Sequence, residues 1–279
     1  MKTKIESPGF SREAIRLMRD LYRRLDKQHS GWDCKGKKRH WTISRANDVH
    51  EEVVNVVRDT NVVRESIFIL HQRADIEPTA ISNVYIDSLG EGTFKRVFKI
   101  SVKLRGKNEL LQFVLKIEKH APAFLILLFL PIDENSLIRE FLNQIVSYGP
   151  RVNKNSVTLV GNVYRSKDFM FSTEEYMSGY SLDNIQLLVR QCNRALNISP
   201  SACLKLLAKG VCSMLFNIFK NSLSLMNIRD YNPSNIMISV CKKRGVNQVS
   251  ANIIDGGAFK IDESQYEKVC SITVGLFKA

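Results

Sequence analysis

Apolar and polar residues alternate in short runs from Asn83 onward. N-V-Y-I-D-S-L, R-V-F-K-I-S-V-K-L and L-L-Q-F-V-L-K-I each follow the two-residue period of a strand, with R-G-K-N as the turn between the last two. S-V-T-L-V-G-N-V-Y and D-F-M-F-S-T-E-E-Y-M extend the pattern to Met177. Elsewhere the spacing is helical. Phe10, Ala14, Met18, Leu21 and Leu25 form an apolar stripe after Ser11, a capping residue. Val49, Val53, Val56 and Val57 form another after the capping signal D-V-H-E, and the helix they predict runs to about Arg73. Leu137, Phe141, Leu142 and Ile145 mark a third helix, which Tyr148-Gly149-Pro150 stops. Beyond the strands, Leu182 to Leu196 and Ala202 to Leu225 predict two more, the second with Leu204, Leu207, Val211, Leu215 and Ile218 along one side. A run of strands followed by helices predicts an α+β fold, and a boundary falls near Glu77-Pro78, where helical spacing gives way to alternation.

Composition narrows the class. Of the 279 residues, 44% are hydrophobic and 25% charged, enough to bury a sizeable core. The longest strongly apolar run, Phe124 to Leu130, lies between Pro122 and Pro131 and falls short of the ~18 residues of a membrane helix. Six dispersed cysteines, with no C-x-x-C pair and no basic-then-apolar leader, predict free thiols in a reducing compartment. Cys34 with His29 and His40 lacks the spacing of a structural zinc set. The net charge of +13 is uneven: residues 1–40 hold twelve Lys or Arg against five Asp or Glu. Such an end suits an anionic membrane surface, an acidic protein partner or simply a solvated face, and no nucleic-acid motif accompanies it.

The chemistry concentrates in N-I-R-D-Y-N-P-S-N-I-M-I, which sets Asp230 and Asn235 five positions apart between an apolar helix and a short apolar strand. A second acid, Asp255, follows Ile253-Ile254 and precedes Gly256-Gly257. Two acids and an amide at strand and loop ends suit Mg²⁺, which takes oxygen ligands and binds through one or two carboxylates plus substrate phosphates. Upstream, Gly90-Glu91-Gly92 joins the first two strands, and Lys116 stands on the third.

In this order the residues resemble the protein-kinase signature: a glycine-rich loop, a strand lysine, a catalytic loop and a magnesium loop. The resemblance covers about residues 83 to 260. It implies a bilobal fold with a five-stranded antiparallel N-lobe sheet plus helix C, a reduced helical C-lobe and an N-terminal helical extension. The domains would be 1–77, the basic extension, and 78–279, the kinase-like domain, with the N-lobe at about 78–177 and the C-lobe at about 178–279. It also implies roles. Gly90, Gly92 and Val97 cover ATP, Lys116 orients its phosphates, and Glu140 on the third helix holds Lys116. Glu175 and Met177 lie in the hinge that grips adenine, and Glu174 takes the gatekeeper position. Asp230 accepts the substrate hydroxyl proton, while Asn235 and Asp255 hold Mg²⁺.

With only 24 residues after Asp255, and a loop of form D-x-N-x-x-N, the chain is most similar to the minimal effector kinases that enteric pathogenic bacteria inject into host cells through type III secretion. The expected activity is then ATP-dependent serine/threonine phosphorylation of a host protein, and autophosphorylation, by a monomer in the host cytoplasm. Members of that family also bind ubiquitin-conjugating machinery. Several positions depart from the pattern: Lys95 replaces the third loop glycine, Ile228 the bracing histidine, Asn232 a catalytic-loop lysine and Gly256 the phenylalanine of the magnesium loop. Two alternatives stand beside an active protein kinase: a pseudokinase serving as a docking module, and a small-molecule kinase of aminoglycoside or choline type.

Overall fold

In the computed structural model, the described residues are 41–73, 76–92, 95–118, 158, 160–165, 169–221, 233–243, 246–254 and 275. The fold is α+β and divides into two compact units, residues 1–142 with 160–176, and residues 143–159 with 177–279.

The first unit is built on a mixed six-stranded sheet. Its strands are β1 (Thr42–Arg45), β2 (Ile81–Glu91), β3 (Lys95–Leu104), β4 (Leu110–Glu118), β5 (Val160–Arg165) and β6 (Met170–Glu175), in the order β1-β2-β3-β4-β6-β5. All neighbours are antiparallel except β1 and β2, which run parallel. Alternation decides the faces. Phe98, Ile100, Val102 and Leu104 of β3, with Leu111, Phe113, Leu115 and Ile117 of β4, point to one side and join Phe171 and Tyr164 in a single core. Two helices supply its other half. Helix α1 (Glu51–Arg58) buries Val53, Val54, Val56 and Val57, and α2 (Thr60–His71) buries Val62, Val63 and Ile67. Glu65 of α2 accepts hydrogen bonds from Asn162 Nδ2 (3.1 Å) and Tyr164 Oη (2.7 Å), which ties the helix to β5.

Three features differ from the reading of the sequence. The sheet has six strands where five were expected; β1 was missed because its four residues, mostly exposed, give no alternation to read. The valine-rich segment forms two helices, broken at Asp59, whose carboxylate caps the second by accepting from Asn61 N at 2.8 Å; the expected D-V-H-E cap is not made, since His50 stands at the first N-terminus without a side-chain bond. A boundary after residue 77 would cut through one core, because Trp41, the α1 and α2 valines and the β2 to β4 apolar residues pack together. The helix expected at residues 10–25, the basic N-terminal end and the third helix with Glu140 lie outside the described residues.

The second unit holds a three-stranded antiparallel sheet, β7 (Tyr180–Ser181), β8 (Ile236–Lys243) and β9 (Val246–Ile253), in that order. Helix α3 (Ile185–Leu196) packs Leu188, Cys192 and Leu196, each one turn from the next. Helix α4 (Pro200–Asn221) adds Cys203, Leu207, Val211 and Leu215, and both stripes close on Ile236, Ile238 and Ile253. Burial and the neighbouring Cys203 push the Cys192 thiol up to about 12. Asn197 ends α3 in a left-handed conformation and Ser199 Oγ accepts from Ala202 N at the start of α4, so the helices meet at 107°. Among the described residues, no single helix is long and apolar enough to cross a membrane.

Candidate functional site

The face of the six-stranded sheet opposite α1 and α2 gathers several of the residues singled out above. Register makes one cross-strand row of Gly90, Val97, Lys116, Ser172 and Val163, each the partner of the next. Gly90 reaches this row through an irregularity between Ser88 and Gly90, and its φ of +146° is one that L side chains rarely adopt. A Cβ there would meet nothing within 4 Å, so glycine is required by backbone conformation and not by crowding. Gly92 N donates to Lys95 O at 2.8 Å and narrows the turn. Lys95, which stands where the kinase pattern has its third loop glycine, is the first residue of β3 and is buried.

Lys116 is buried, and its Nζ lies 2.9 Å from Glu174 Oε1, with 7% and 4% of the two side chains exposed. The contact is diagonal. Lys116 pairs across the strands with Ser172, and Glu174 lies two residues farther along β6, on the same face, opposite Val114. Buried Val114, Val160 and Val163 share this side of the sheet. With water excluded, attraction between the two charges is stronger than on the surface, and so is the cost of leaving either unpaired. Glu175, the next residue, partners Phe113 and is half-buried on the α1 and α2 side, so the two consecutive glutamates face opposite ways.

One row farther from the glycine turn, Lys99 and Asp87 are paired at 2.9 Å, and the Lys99 ammonium stands 5.8 Å from the centre of the Tyr176 ring. The hydrogen bond to Asp87 holds the Lys99 ammonium above the usual lysine range; partial burial opposes it, and the Asp87 charge adds to it.

In the second unit, Met177 is half-buried and precedes Gly179. Gly179 has φ +148°, and a Cβ there would fall 2.0 Å from Ile238 O, which lets β7 lie directly against the β8 backbone. Asn235 ends a short 3-10 turn, Pro233–Asn235, immediately before β8. Its carbonyl accepts from Ile254 N at 2.9 Å, continuing the Ile236–Ile253 pair of β8 and β9. Asn235 and the residue that precedes Asp255 are thus brought to the same end of one hairpin. Thr158 caps that end, donating both N–H (3.0 Å) and Oγ1–H (3.2 Å) to Ile253 O. Glu140, Asp230 and Asp255 lie outside the described residues. Among the described residues, no cluster of three or more His, Cys, Asp or Glu is placed to hold a metal.

The pairing of Glu174 with Lys116 was not anticipated from sequence. Its one sign was an acid at the position the kinase resemblance gives to the gatekeeper, in a strand whose other charged residue is its neighbour Glu175. Compared with known proteins, the chain matches no protein-family model and no curated protein sequence.

Proposed function

We propose that this chain is a serine/threonine protein kinase of minimal effector type that transfers the γ-phosphate of ATP to a protein hydroxyl and to itself. The observation that carries the reading is the cross-strand row, in which a glycine of unrestricted backbone, Val97 and an ion-paired buried lysine stand side by side on one face of the sheet. A kinase-like bilobal fold uses such a row to cover and orient the phosphates, and phosphoryl transfer depends mainly on positioning and charge stabilisation.

Gly90 and Gly92 approach the phosphates with backbone alone, Val97 packs on the base, and Lys116 fixes the phosphate oxygens. The main chain at Glu175 and Met177 binds adenine. Asp230 accepts the hydroxyl proton, and Glu140 is the helix acid that supports Lys116. The carboxamide of Asn235 and the carboxylate of Asp255 are the hard oxygen donors that Mg²⁺ prefers, and the Asn235–Ile254 hydrogen bond supports their shared placement. When bound, the ion neutralises charge that develops on the phosphates. The host-protein substrate, the ubiquitin-conjugating or other acidic partner, the monomeric state and the host cytoplasm as the place of action follow from the effector-kinase resemblance.

The test is a thermal-shift titration followed by a transfer assay. ATP with Mg²⁺ should raise the melting temperature, as any ligand selective for the folded state does. Asp230→Ala should keep that shift and lose transfer of radiolabelled phosphate to a basic acceptor protein. A shift without transfer in the parent favours the pseudokinase reading, for which Ile228, Asn232 and Gly256 speak. No shift at millimolar nucleotide removes the kinase reading altogether.

A further inference from the structure

We propose that Glu174, a strand residue, is a positioning residue that orders Lys116 before any nucleotide arrives. The inference rests on the kinase reading for its catalytic meaning and on geometry for its physical content. Lys116 stands on β4 and Glu174 on β6, and these strands are hydrogen-bonded neighbours from Phe113–Glu175 to Ile117–Phe171. Both are interior strands, with β3 flanking one and β5 the other. A contact between them is set by sheet register, and nothing has to dock or rotate to make it.

Their burial makes the pair consequential. At 2.9 Å and under a tenth exposed, the ammonium has in Glu174 a full counter-charge in a water-poor setting. Ser172 directly faces Lys116 but does not fix it, because its buried Oγ has no hydrogen-bond partner among the described residues. Glu175 faces the other side of the sheet. A helix acid that orders a phosphate-binding lysine works as a switch, since the helix can move away. A strand acid has no such freedom, so Lys116 is held ready at all times and activity does not wait on a conformational step.

The experiment compares Glu174→Gln, Glu174→Asp and Glu140→Gln with the parent chain in two assays. The first, without nucleotide, follows acetylation of Lys116 by acetic anhydride, read by peptide mass and normalised to Lys95, a second buried lysine of the same sheet. Glu174→Gln should raise the normalised Lys116 rate severalfold, Glu174→Asp should raise it to an intermediate value, because the charge is kept but drawn back by one methylene, and Glu140→Gln should change it less. The second is the ATP dependence of phosphate transfer. Glu174→Gln should lower kcat/KM for ATP on the order of 10- to 100-fold, the usual cost of misplacing a group by about 1 Å.

Parent-like acetylation in Glu174→Gln, or a larger rise in Glu140→Gln than in Glu174→Gln, overturns the proposal. If Glu174→Gln unfolds, so that Lys95 and Lys116 react alike, Glu174→Asp decides alone: unaltered acetylation and kinetics in that shortened side chain also overturn it. Failure of the parent to bind ATP or transfer phosphate rejects the kinase reading instead, and the acetylation assay still reports what holds Lys116.

Discussion

The two faces of the six-stranded sheet are made from the same strands and stabilised in different ways. On the α1 and α2 side, β3 and β4 present Val, Ile, Leu and Phe apart from Arg96, which pairs with Glu52 of α1 near the strand end, and two helices rich in valine close over them. On the other side the same strands present Val97, Lys99, Ser101 and Lys103, and Gln112, Val114, Lys116 and Glu118. The apolar face gains from area removed from water, a non-directional term that tolerates small shifts. The other face depends on specific pairs, Lys116 with Glu174 and Lys99 with Asp87, each fixed by register. One face therefore specifies that the sheet folds, and the other specifies which residues meet on it.

The largest test of this contrast removes the apolar lid. Deleting residues 1–77 takes away β1, α1 and α2 and exposes the β3 and β4 core, so the first unit should lose its cooperative transition entirely, a loss comparable to the ~5–15 kcal/mol stability of a whole domain. Near-UV circular dichroism and urea unfolding measure it. Retention of the parent's transition would show that the polar face alone sustains the sheet.

A smaller effect separates the faces by coupling. Lys116→Met takes the ammonium from a buried carboxylate and should cost ~3–5 kcal/mol, while Lys116→Met with Glu174→Leu should cost less than the single change. Ile67→Ala on the other face should cost about 2–5 kcal/mol through the cavity it leaves. Chemical denaturation of the three variants gives the values, and a double substitution worse than Lys116→Met would deny the pairing its role.

The smallest effect concerns pH. The folded Lys99 has its pKa raised above the unfolded value of 10.5, so its pairing stabilises fully below that value and fades as pH rises through the folded one. With Asp87 about half exposed, solvent screening limits this to under ~1 kcal/mol. Thermal melts between neutral and strongly alkaline pH should show the decline in the parent and less of it in Asp87→Asn.

Much of the sheet could be read from the chain, since β2, β3, β4, β5 and β6 keep a two-residue period and their turns carry Gly106 and the Gly90 to Gly92 stretch. The order Gly90, Val97, Lys116 was legible, whereas their meeting in one cross-strand row is a finding of the structure. The break at Asp59 was hidden because the valines around it keep a helical spacing across it. Glu174 was harder still. Its contact with Lys116 depends on how β6 aligns with β4, and no local pattern encodes the alignment of strands so distant in the chain. In the second unit the Ile253-Ile254 run was legible as a strand end, but its bond to Asn235 comes from the β8–β9 register, which the sequence reading did not pair.

The strand order also shapes how a nascent chain would assemble. β1, α1, α2, β2, β3 and β4 follow one another between residues 41 and 118, and only β6 and β5 join from farther along. Translation adds about 5–20 residues per second, so most of the apolar core is synthesised several seconds before Met170–Glu175 leaves the ribosome. During that interval β4 is an open edge, the kind of ladder that recruits strands from other chains. Lys116 sits in the middle of it, together with Gln112 and Glu118 on the same side. A charge on an edge strand discourages foreign pairing, so the ammonium that the finished sheet buries against Glu174 first protects the unfinished one from aggregation.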